Sequence, residues 1–207
     1  MELLHHPLVQ SLLVPALLAF LGAGVVRAAL GPIRGARWAA AALGLGVVVA
    51  AGMLLGWRWP PVAVLEKIPP VFVAAWLVGA GLESAPAFRW RQWLGATLLW
   101  LAVSWWLGWN GVVMAAAAAL VGAAVLASLS SQAQDSASGA AMSTVASLGL
   151  AGAALAAGSL VLFQVSLLLA AALGGIGVWV WPKVRLPFGP AATVVAGIAW
   201  LALAQSV

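Results

Sequence analysis

The chain has 207 residues, 65% of them apolar, with only nine Lys or Arg and four Asp or Glu. A soluble domain of this length carries roughly 50 charges, so neither a water-facing globule nor a disordered chain fits. The net charge of +5 comes without a cation cluster able to neutralise a row of phosphates. That excludes nucleic acid as a partner and leaves an all-α polytopic membrane protein with the lipid bilayer around it.

Cysteine is absent, so disulfides, thiolate chemistry and Cys-based metal sites are excluded. High Ala, Gly, Arg and Trp with little Lys is the usage of a GC-rich bacterial genome, and the expected location is the cell membrane, a bacterial inner membrane. No basic residue precedes Arg27, so the first apolar stretch is expected to be a retained span and not a cleaved leader.

A helical span needs about 20 apolar residues, and the runs here lack the alternation of a membrane barrel. Eight spans are predicted within one integral membrane domain covering residues 1–207. The first covers about Leu8 to Ala29 and ends at the Gly31-Pro32 break. The second covers Trp38 to Trp57, the third lies between Pro61 and Glu83, and the fourth covers Gln92 to Trp109. After the Asn110-Gly111 turn pair the fifth covers Val112 to Leu129. A polar stretch around Asp135 follows. The sixth covers Ala141 to Ala157, the seventh Leu160 to Trp181 and the eighth Ala191 to Gln205. Residues 141–181 hold neither charge nor proline. As one helix they would be about 60 Å long, so the chain must turn back at Gly158-Ser159 or Phe163-Gln164. Six or seven spans is the alternative count.

Charge sorting orients the bundle. With the N-terminus outside, the cytoplasmic loops carry Arg27, Arg34, Arg37, Arg89, Arg91, Lys183 and Arg185, and the outer loops carry Arg58 and Lys67. This obeys the positive-inside rule and predicts both termini outside.

Thirteen Trp accompany no Tyr. Trp57, Trp59, Trp105, Trp106 and Trp109 fall at outer span ends, and Trp38, Trp90, Trp93, Trp179 and Trp181 at inner ones, the expected interfacial belts. Trp76, Trp100 and Trp200 lie deeper; each needs a partner for its N–H or a position facing lipid, and these three are the better aromatic candidates for a binding cavity. Trp57-Arg58-Trp59-Pro60-Pro61-Val62 and Trp179-Val180-Trp181-Pro182-Lys183-Val184 share W-x-W-P-x-V. Either they mark an inverted repeat, or two hairpins of this composition converged on interfacial Trp followed by Pro.

The third span is the least ordinary. Pro60-Pro61 and Pro69-Pro70 bracket Glu66 and Lys67, and proline removes backbone donors and restricts the residue before it. Either residues 62–68 lie in the outer interface as a solvated Glu-Lys pair, or a helix starting at Pro61 is kinked or broken at Pro69-Pro70. The broken helix would carry Glu66 into the membrane, where a carboxylate is a functional candidate. In that case Glu66, with Lys67 or Arg58 as counter-charge and Trp76 nearby, is an ion or substrate site.

Glu83 is expected to pair with Arg89 or Arg91 at the surface, and Asp135 to be solvated. His5 and His6 cannot share a helix face and read as a frayed terminus, not a metal site. Gly52-x-x-x-Gly56 and Gly149-x-x-Gly152 are candidate helix-packing positions. No nucleophile–base–orienter set or hydrolase motif is present, so no catalytic residue, cofactor or metal is expected. The sequence points to an accessory or structural subunit, or a binding module, of a membrane complex, meeting other membrane subunits or a second copy of itself. A small transporter or channel using Glu66 is the alternative.

Overall fold

The first hairpin is set by a glycine in a conformation that side chains disfavour. In the computed structural model, which describes residues 9–84, 89–108, 112–132, 137–181 and 185–207, a π-helical turn at Val9–Leu13 leads into α1 (Val14–Leu30). Gly31 then takes φ 78°, and the turn Gly31–Gly35 folds back so closely that a Cβ on Gly35 would lie 2.7 Å from the Arg27 Cα. α2 (Ala36–Ala39) and α3 (Ala42–Leu55) return antiparallel to α1, with Gly22 facing Ala42 and Gly46 facing Pro15 and Ala19.

The remaining helices are α4 (Val64–Ser84), α5 (Arg89–Leu107), α6 (Val112–Gln132), α7 (Ser138–Ala156), α8 (Leu160–Val180) and α9 (Pro190–Ser206). Among the described residues every regular element is helical, and each of the eight apolar stretches is helical, the second as α2 plus α3. Four helical runs are long and apolar enough to cross a membrane by length and composition: Val9–Ala39, Val64–Ser84, Ser138–Ala156 and Leu160–Val180. The first of these reverses at Gly31 and is not one straight rod.

The long uncharged segment turns at Gly158-Ser159. Gly158 has φ 77°. Its N–H donates to the Leu155 carbonyl, and that of Ser159 donates to the Ala154 carbonyl at 2.9 Å. This is the paired closure of a Schellman motif. Ser159 then caps the next helix by accepting from the Leu162 N–H. One dipeptide thus ends α7 and starts α8, satisfying donors and acceptors that lipid could not.

The helix break expected at Pro69-Pro70 is not found. α4 begins at Val64 and runs unbroken through Pro69 and Pro70. The two prolines remove the bonds that would end on the Leu65 and Glu66 carbonyls, close to the start of the helix. Their fixed φ is compatible with a helix. Burial of Ile68, Pro69, Val71 and Phe72 holds the segment helical against the preference of pre-proline residues. Pro60 and Pro61 do lie in the non-helical segment before α4.

α9 is the central helix, buried from Ala191 to Leu203 on most positions, with α4, α5, α6, α7 and α8 around it. α1, α3 and α8 form a second packed group. Successive helices alternate in direction. One end therefore gathers Arg27, Arg34, Arg37, Glu83, Arg185 and the start of α9, with Arg89 and Arg91 in the first turn of α5. The other end gathers Arg58, Glu66, Lys67, Trp106 and Gln205. Lys183, Asp135, Trp109, His5 and His6 lie outside the described residues.

Candidate functional site

The polar side chains of the bundle converge on helix ends. α9 starts at Gly189-Pro190-Ala191 with no side-chain cap of its own, so its first N–H groups need an acceptor from elsewhere. Glu83, from the last turn of α4, supplies it: Oε2 accepts from the Ala191 N–H at 3.2 Å. Gly189 leaves room for the carboxylate, since a Cβ there would lie 2.9 Å from Oε2. The other oxygen, Oε1, meets Arg37 Nε at 3.3 Å. Glu83 is 3% exposed, while the Arg37 side chain is 49% exposed. Glu83 is therefore a buried carboxylate fastening α4, α2 and α9, and not the surface acid expected from the sequence.

At the opposite end Glu66 occupies the first turn of α4. Its Oε1 accepts from Arg58 Nη1 at 2.8 Å, and its Oε2 accepts from the N–H groups of Val62 at 2.8 Å and Ala63 at 3.2 Å. A Glu in the first helical turn reaching back to the N-cap amide is half of a capping box. Both oxygens are committed at the rim of the bundle, not aimed into its middle. Lys67 turns the other way and donates to the Trp106 carbonyl at 2.8 Å, in the last turn of α5. There Gln205 Nε2 also donates to the Gly108 carbonyl at 3.1 Å, and Ser104 Oγ donates to Gln205 Oε1 at 2.8 Å. Anions at helix N-termini and a cation at a C-terminus match the helix dipole. Trp57, Arg58, Trp59, Pro70 and Val73 line a shallow cavity of about 250 Å³ beside this cluster.

The deep tryptophans act as staples. Trp76 donates to the Ala41 carbonyl at the α2–α3 turn, Trp100 to Ala118, Trp179 to Phe20 and Trp200 to Ala146, each at 3.0 Å. Trp76 lies against Gly44, Trp100 against Gly122 and Trp179 against Gly24, where the missing side chain admits the ring. Trp76 thus ties α4 to the α2–α3 turn and is not part of one site with Glu66. Trp179 also stacks on Phe20 with centroids 5.3 Å apart. Trp57, Trp59, Trp90, Trp93, Trp105, Trp106 and Trp181 are exposed. The two W-x-W-P segments differ in setting: Trp57 and Trp59 lie before α4, Trp179 lies within α8, and residues 182–184 are outside the described residues.

The glycine motifs lie elsewhere than at close helix crossings. Gly52 faces the Trp57 indole, and Gly56 ends α3 with φ 75°, so this pair terminates a helix. A Cβ at Gly149 or Gly152 would meet nothing within 4 Å. The close approaches occur instead at Gly79 against Ala191, Gly175 against Ala16 and Gly197 against Leu126. Among the described residues three buried hydroxyls, on Thr97, Ser143 and Ser166, have no hydrogen-bond partner. Among the described residues no three His, Cys, Asp or Glu side chains gather into a metal site. Compared with family models, curated proteins and solved structures, the chain matches none.

Proposed function

We propose that the protein is an eight-span protein of a bacterial inner membrane, with both termini outside the cytoplasm, serving as a structural or accessory subunit of a membrane complex without catalytic activity of its own. The orientation rests on Arg27, Arg34, Arg37, Arg91 and Arg185 lying at one end and Arg58 and Lys67 at the other, with the richer end cytoplasmic. The observation that carries the functional reading is the fate of the acids. Both carboxylates among the described residues cap a helix N-terminus and pair with an arginine. Ionisable groups inside a membrane mark many ion and solute pathways, and Glu66, the acid best placed by sequence for that work, is spent on its own helix.

Migration on a native gel after mild extraction tests the proposal. A subunit runs in an assembly far above its own mass of 21.0 kDa, together with the same partners after crosslinking in intact membranes. A purified monomer or homodimer that carries an ion or solute into liposomes, and loses that flux in Glu66→Gln, would overturn it in favour of a transporter.

A further inference from the structure

Where α1 and α8 end, three arginines come together. The two helices pack side by side, with Gly24 of α1 against the Trp179 ring and the Trp179 indole bonded to the Phe20 carbonyl. One turn further along α1, Arg27 Nη1 donates to the Arg185 carbonyl. Arg185 is itself drawn back onto the end of α8, its N–H donating to the Trp179 carbonyl at 3.1 Å. Arg34 stands beside them, because its neighbour Gly35 packs so tightly on the Arg27 backbone that a Cβ there would lie 2.7 Å from the Arg27 Cα. Arg34 and Arg185 are exposed and Arg27 is half-buried.

Among the described residues none of the three meets a carboxylate, and Glu83, the described acid at this end, is committed to Arg37 and the Ala191 N–H. The C-termini of α1 and α8 offset part of the charge, but each carries only about half an elementary charge, so roughly two positive charges stay unanswered. The surroundings are apolar: Leu30, Ile33, Val178 and Trp181 are all exposed at this end. An unmatched cationic patch edged by exposed apolar side chains complements a molecule that carries an anion above hydrocarbon, and a free phosphate would leave Ile33 and Trp181 uncovered. Basic clusters between helices at a membrane face hold anionic headgroups in this way, and guanidinium groups match phosphate geometry. We propose that Arg27, Arg34 and Arg185 form a binding site for the phosphate of an anionic phospholipid, whose chains descend along the outer faces of α1 and α8. The site rests on the transmembrane reading above, but not on which end faces the cytoplasm.

The full chain, purified in mild detergent and stripped of lipid, is titrated with dioleoyl phosphatidylglycerol and with dioleoyl phosphatidylcholine, which share their chains and differ in headgroup charge. Native mass spectrometry counts the bound lipid. The wild type is expected to bind phosphatidylglycerol the more tightly. Arg34→Gln should weaken that lipid about fivefold, and the triple change Arg27→Gln, Arg34→Gln and Arg185→Gln about a hundredfold, at about 1 kcal/mol for each arginine. Binding of phosphatidylcholine should hardly change. The Arg34 side chain makes neither hydrogen bond nor ion pair among the described residues, so the single variant remains decisive if tryptophan fluorescence melting shows the triple variant unfolded. Arg91→Gln removes a charge from the same end on α5, which packs on α4, α6 and α9, and should leave the preference intact. Wild-type preference in folded Arg34→Gln or in the folded triple variant would overturn the site, and so would an equal loss in Arg91→Gln, which would mean diffuse charge. Displacement of the lipid by an equal concentration of inorganic phosphate would overturn the lipid as occupant. Extraction of the wild type from membranes by alkaline carbonate would overturn the transmembrane reading itself, a result separable from failure of the site in a chain that stays in the membrane.

Discussion

Replacing Glu83 with Ala should be among the most damaging single changes in this protein. The carboxylate leaves behind the N–H of Ala191, a residue with no solvent exposure, and an unsatisfied buried donor costs about 1–3 kcal/mol. The start of α9 also loses an anion facing its dipole, about 0.3–1 kcal/mol. Arg37 loses this contact, but half its side chain is exposed, so that loss adds only about 0–1 kcal/mol. Together the loss is roughly 2–4 kcal/mol, or roughly 5–15 °C in melting midpoint on the scale of a soluble domain of this size. Thermal melting of detergent-solubilised protein, followed by tryptophan fluorescence, reads it directly. Glu83→Gln keeps an oxygen for the Ala191 N–H and should lose about half as much. Arg37→Ala should cost less than Glu83→Ala, and the double variant less than the sum, because the two changes remove one shared contact. A Glu83→Ala protein melting within a degree or two of wild type, or strict additivity with Arg37→Ala, would refute the fastening role.

Gly122→Ala places a Cβ where the Trp100 indole lies and should cost about 1–3 kcal/mol by overpacking. Adding Trp100→Leu should relieve that clash, and a neutral Gly122→Ala in the same melting assay would count against the staple. Gly149→Ala meets open space and should instead raise stability by about 0.5–1 kcal/mol through helix propensity. Glu66→Gln keeps acceptors for the Val62 and Ala63 amides and is expected to assemble and migrate on native gels as wild type does; dissociation of the assembly would show that the carboxylate charge is required. C-terminal fusions should be active with a reporter that works outside the cytoplasm and silent with one that works inside, and the reverse pattern would invert the proposed orientation.

The eight apolar stretches and their boundaries were legible because hydrophobic length and turn residues act locally. Gly31-Pro32 ends a helix whatever surrounds it, and Gly158-Ser159 supplies both a left-handed residue and a hydroxyl cap within two positions. Local rules misled at Pro69-Pro70. The pre-proline preference is worth less than burying Ile68, Val71 and Phe72 against neighbouring helices, and that burial is invisible until the neighbours are known. The glycine spacing at 52 and 56 misled for a similar reason, since the motif does not say whether the second glycine continues the helix or closes it.

Composition alone determined that the chain is a set of apolar helices and that its cations divide unequally between alternate connections, because both follow from counting residues along a line. Which polar group answers which helix end was decided only in three dimensions. Glu83 and Ala191 are 108 positions apart, Trp179 and Phe20 are 159 apart, and no local pattern encodes such pairs. A free amide at the start of α9 must find an acceptor, but whether it comes from Glu83, Asp135 or a lipid depends on which helices pack side by side.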